Sequence, residues 1–65
     1  MKKVIRVLVV DDDRRMVKTI CDILMISGFD PIAAFCGEEA VEKVRTGNPD
    51  CVLMDTTQIR HFLNI

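Results

Sequence analysis

Val7-Leu8-Val9-Val10-Asp11-Asp12-Asp13 is the stretch that decides the fold. Four apolar residues, three of them β-branched, read as a strand buried on both faces, and such strands belong to parallel sheets with helices on each side. The strand stops on three carboxylates. In open α/β sheets ligands bind in the crevice outside the carboxyl ends of the strands, so these acids stand where chemistry is done. Cys51-Val52-Leu53-Met54 repeats the design and ends on Asp55. Parallel neighbours lie about 4.8 Å apart, which would bring Asp11, Asp12 and Asp55 to one point.

Working outward from the first strand, taken as Val4 to Val10, Asp13 is placed to cap a helix running to about Ser27. Met16, Ile20, Ile23 and Leu24 recur with helical spacing, widened by Val17 and Cys21, while Arg14, Arg15, Lys18 and Asp22 face water. Gly28 is suited to the left-handed stop. Phe29 to Phe35 reads as a second strand whose Pro31 sends it to a sheet edge. Gly37 opens a short second helix; Glu38 and Glu39 suit its positive end, Ala40, Val41 and Val44 form its inward face, and Gly47 ends it. Asn48-Pro49-Asp50 turns the chain into the third strand. The pattern is β-α-β-α-β, and two right-handed crossovers with helices on opposite faces give an α/β, flavodoxin-like parallel sheet of order 2-1-3. Thr56 to Ile65 fits either a helix bearing Ile59, Phe62 and Leu63 or a short strand over His61 to Ile65.

Composition narrows the function classes. The 65 residues are 49% hydrophobic and 29% charged, with a net charge of -1, so no basic field draws in nucleic acid. A chain of about this size buries only roughly 60% of its unfolded surface, so marginal stability is expected. Cys21, Cys36 and Cys51 lack a C-x-x-C spacing and read as buried thiols of a cytoplasmic protein, and Met16, Met25 and Met54 as core filling. Neither a signal peptide nor a membrane span is expected. His61 and Arg60 read as ordinary surface residues.

VLVVDDD, a helix ending in SGF, and GEEAVEKVRTGNPDCVLMD together resemble the N-terminal half of the receiver domain of two-component response regulators, over residues 4 to 55. The division that follows is 1–55 as a receiver-like half and 56–65 as a divergent tail. The resemblance implies that Asp55 accepts a phosphoryl group from the phosphohistidine of a sensor histidine kinase. It implies that Asp11, Asp12, Asp55 and the backbone carbonyl of Thr57 hold Mg²⁺. It also implies a phosphorelay protein that catalyses at most its own phosphorylation. The donor chemistry agrees, because Mg²⁺ takes hard oxygens and relieves the repulsion of converging carboxylates. Departures begin after Asp55: Thr56-Thr57-Gln58-Ile59-Arg60 has no Met-Pro or Asp-Gly, and the family's later hydroxyl residue and lysine are not present in these 65 residues.

Three expectations follow. One is a phosphoryl-accepting receiver. Another is a half-receiver that acts by association, with a homodimer relieving a marginal core and an open third-strand edge. The third is a shortened or frameshifted receiver, suggested by the loss of pattern after Asp55. No contact with nucleic acid or membrane is expected in any of them.

Overall fold

A computed structural model describes residues 3–54. They form β1 (Arg6–Val10), α1 (Arg14–Ile26), β2 (Asp30–Ala34), α2 (Gly37–Gly47) and β3 (Cys51–Met54). The three strands are parallel in the order β2-β1-β3. The expected β-α-β-α-β sheet is therefore present, with the first strand in the middle. The second strand is one residue shorter at each end than the sequence suggested, and the first begins at Arg6 rather than Val4.

β1 lies at the centre because it alone can be covered everywhere. Four of the seven buried apolar residues among those described are its Val7, Leu8, Val9 and Val10. Their side chains alternate between two layers. Leu8 and Val10 pack with Ala34 and with Ala40 of α2, and Val7 and Val9 pack with Val17 of α1. The helices thus sit on opposite faces, which is why β1 needs an unbroken apolar run.

Local chemistry sets the ends of each element. Asp13 Oδ1 accepts from the N–H groups of Arg15 at 3.0 Å and Met16 at 3.3 Å, and caps α1. At the other end Gly28, at φ +93°, donates to Met25 O while Phe29 donates to Leu24 O, closing the helix as a Schellman motif. Glu39 reaches back from the first turn of α2 and accepts at 2.9 Å from the N–H of Phe35, the residue before the N-cap Cys36, whose own side chain makes no capping bond. Asn48 ends α2 in the left-handed region.

The edges differ in kind. Asp30 N–H donates to Ile5 O, so the alternation of the ladder turns the Pro31 nitrogen outward, where no donor is needed. β2 is an edge strand, as its proline required. On the other side Asp50 N–H donates to Arg6 O, so Asp50, Val52 and Met54 address β1 with their backbone groups. Cys51 and Leu53 address the outer side, and no described strand pairs with them.

Several side chains depart from the sequence expectation. Val41 and Val44 are about half exposed rather than inward. α2 packs over β1 and β2, with Gly47 so near Ile32 that an added Cβ would come within 3.2 Å of its Cδ1. That approach leaves the Val41 and Val44 flank facing an open groove. Cys36 and Cys51 are exposed and only Cys21 is half-buried, its thiol pushed up by burial and then by the Asp22 charge. Met16, Met25 and Met54 lie at the surface and fill no core. Among the described residues no helix is long and apolar enough to cross a membrane.

Candidate functional site

The carboxyl end of β1 is where the sheet offers a site. Asp11 still belongs to the ladder: its N–H donates to Ala34 O at 3.2 Å, which fixes the backbone as it leaves the strand. Its Oδ1 accepts from the Asp13 N–H at 3.0 Å, an Asx-type turn that folds the acidic loop back on itself. Asp11 is half-buried, whereas Asp12 is exposed at the bend. Asp13 caps the helix through its Oδ1 and Asp11 holds the turn through its own, while the Asp12 carboxylate makes no hydrogen bond among the described residues.

The register fixes where the two strands end relative to each other. Val10 is the β1 partner of Met54. The next residues in sequence are Asp11 and Asp55 respectively. Asp55 and Thr57 themselves lie outside the described residues, as does the whole 56–65 segment, with His61 and Arg60. Among the described residues no three His, Cys, Asp or Glu side chains gather as a metal site. Asp11 and Asp12 nevertheless fit Mg²⁺ in donor type, since both offer hard carboxylate oxygens at a solvent-accessible strand end.

One neighbour of this end escaped the sequence reading. The Arg14 guanidinium sits 4.3 Å from the centroid of the Phe35 ring, a cation–π stack. Arg14 is exposed, as its place among the polar residues of α1 implies, and the stack on Phe35 is additional to that. Both residues follow the carboxyl ends of adjacent parallel strands, and that shared position was the available signal.

Comparisons with known proteins bear on this geometry. The chain is 47% identical over 53 residues to the Chemotaxis protein CheY of Bacillus subtilis (strain 168), covering 80% of this chain and 44% of that protein. It is 42% identical over 50 residues to the Alkaline phosphatase synthesis transcriptional regulatory protein PhoP of the same organism, covering 77% of this chain and 21% of that one. The chain thus spans less than half the length of either relative. No family model matches the chain, and no solved structure matches it. Both relatives are response regulators, and doubly wound sheets of the flavodoxin type begin with the same strand order, 2-1-3. The chain is similar in sequence to these two response regulators, and its described residues build part of a flavodoxin-like α/β fold.

Proposed function

We propose that the chain is a cytoplasmic receiver of a two-component phosphorelay, in which Asp55 accepts a phosphoryl group from a sensor histidine kinase. The observation that carries this reading is the Val10–Met54 register pair, from which each strand continues directly into an acid, Asp11 or Asp55. An Asp55 carboxylate oxygen would attack phosphorus in line; the P–O bond forms as the P–N bond of the phosphohistidine breaks, and the imidazole leaves. Asp11 and Asp12 would hold Mg²⁺, together with Asp55 and the Thr57 carbonyl. When bound, the ion supplies charge neutralisation at the phosphoryl oxygens. The Asp11 side chain is already oriented by its bond to the Asp13 N–H, so little reorganisation is required of it.

The test is uptake of beryllofluoride, a phosphoryl mimic, and of phosphate from acetyl phosphate. Both are expected only with Mg²⁺ and only with Asp55 intact; uptake that survives Asp55→Asn overturns the reading.

A second reading is favoured by β3, a strand with apolar side chains exposed on both faces and one unpaired edge among the described residues. In that reading the chain acts by association, with no need for phosphorylation. A homodimer is the simplest such assembly, and it predicts a mass of two chains in sedimentation equilibrium.

A further inference from the structure

Arg14 opens α1 directly after three consecutive carboxylates, Asp11, Asp12 and Asp13. A guanidinium suits a carboxylate better than any other side chain, because its planar fork matches both oxygens. Even so, Arg14 forms no ion pair with any of the three. Asp11 and Asp13 each spend an oxygen on backbone N–H groups, whereas the Asp12 carboxylate makes no hydrogen bond among the described residues. Opposite charges two residues apart thus stay unpaired. The cation lies instead 4.3 Å from the centroid of the Phe35 ring.

That ring is a fixed platform. Phe35 is half-buried and packs against the cluster of Val7, Val9 and Val17, and its N–H is held by Glu39 Oε1 at 2.9 Å. It also stands beside the acidic loop. Val10 and Ala34 are paired, the next residues are Asp11 and Phe35, and the Asp11 N–H still donates to Ala34 O. The two residues therefore leave the sheet side by side. The backbone around Arg14 is equally fixed, since the Asp13 cap takes the N–H groups of Arg15 and Met16.

We propose that Phe35 is a positioning residue that parks the Arg14 cation off the acidic loop and so keeps the Asp11 and Asp12 carboxylates open to Mg²⁺. The proposal rests on the reading of those two acids as Mg²⁺ ligands. A carboxylate already paired with a guanidinium must give up that partner before a second cation can bind. At an exposed site a cation–π contact biases the guanidinium toward the ring by about two- to fivefold. An exposed ion pair is of similar strength, so removing the ring is enough to send Arg14 to the nearest acid.

A double-mutant cycle with Mg²⁺ alone as the ligand tests this, with the amide resonances of Asp12 and Asp13 followed through the titration. Phe35→Leu keeps an apolar side chain over Val9 and Val17 but removes the ring face. It is expected to weaken Mg²⁺ binding about two- to fivefold. Phe35→Tyr, which retains the ring, is expected to bind as the unsubstituted chain does. With Arg14→Gln already in place, Phe35→Leu is expected to change nothing, because no cation remains to be released. Exchange of the β1 amides reports whether each variant is folded; if Phe35→Leu loses that protection, Phe35→Met takes its place in the cycle. An equal loss of affinity with and without Arg14 overturns the proposal and leaves Phe35 a packing residue only. An unchanged or tightened affinity in Phe35→Leu overturns it as well. Asp12→Asn separates the two levels of the argument. If Mg²⁺ binding depends on Asp12 but Phe35 acts without regard to Arg14, this proposal alone falls; if the unsubstituted chain shows no Asp12-dependent binding, the assignment of the Mg²⁺ ligands falls and takes the proposal with it.

Discussion

Asp50 and Arg6 exchange two hydrogen bonds at the foot of the sheet: the Arg6 N–H donates to Asp50 Oδ2 at 2.9 Å, and the Asp50 N–H donates to Arg6 O at 2.8 Å. Lys3 adds a contact of 2.8 Å to the other carboxylate oxygen. A side chain thus extends the β1–β3 ladder by one step and sets the register that aligns Val10 with Met54. The bond from the Arg6 N–H, then that from Lys3, holds the Asp50 carboxyl below its usual range.

A depressed carboxyl stabilises the fold above the unfolded value of about 3.9 and ceases to do so as pH falls through the lower folded value. Acid is therefore expected to loosen β3 below about pH 4 through this group. In Asp50→Asn that part of the acid dependence disappears, and β3 amides already exchange faster at neutral pH. Amide exchange at Val52 and Met54 against pH checks both; an unchanged profile contradicts the clamp.

Asp13 and its neighbours should separate cleanly. Asp13→Ala removes the α1 cap and costs about 1 kcal/mol in chemical denaturation, with Mg²⁺-dependent beryllofluoride uptake retained. Asp12→Asn leaves the exposed bend intact and should lose that uptake with little change in stability. The reverse pattern would make Asp13 the ligand.

Gly28 is held at φ +93° with nothing within 4 Å of where a Cβ would sit. Gly28→Ala is thus a purely conformational penalty, expected at about 1–2 kcal/mol. Urea denaturation measures it, and a neutral result would show that the turn can be rebuilt without a left-handed residue.

Two leucines of neighbouring strands should behave oppositely. Leu8→Ala empties the fully buried centre and is expected to cost about 2–5 kcal/mol, enough to unfold much of so small a domain. Leu53→Ala, at a half-exposed position, should stay within about 0.5 kcal/mol in the free chain. A large loss from Leu53→Ala would mean that β3 is already covered.

The sequence by itself determined the element order, the parallel sheet with β1 central, the Asp13 cap, the Gly28 stop and the edge position of β2. These are local facts or follow from them: a cap is a side chain beside its own helix, a proline removes its own donor, and an apolar run bounded by acids needs cover on both sides. Tertiary structure alone decided how far the cover reaches. Helical spacing marks Val41 and Val44 as apolar but cannot say that Gly47 draws α2 over Ile32 and leaves their flank open. Strand periodicity marks Cys51 to Met54 as buried, yet their exposure depends on where two helices come to rest, a relation between segments distant in sequence. The Arg14–Phe35 stack and the Asp50–Arg6 exchange belong to the same class, because each joins residues that only the parallel register makes neighbours.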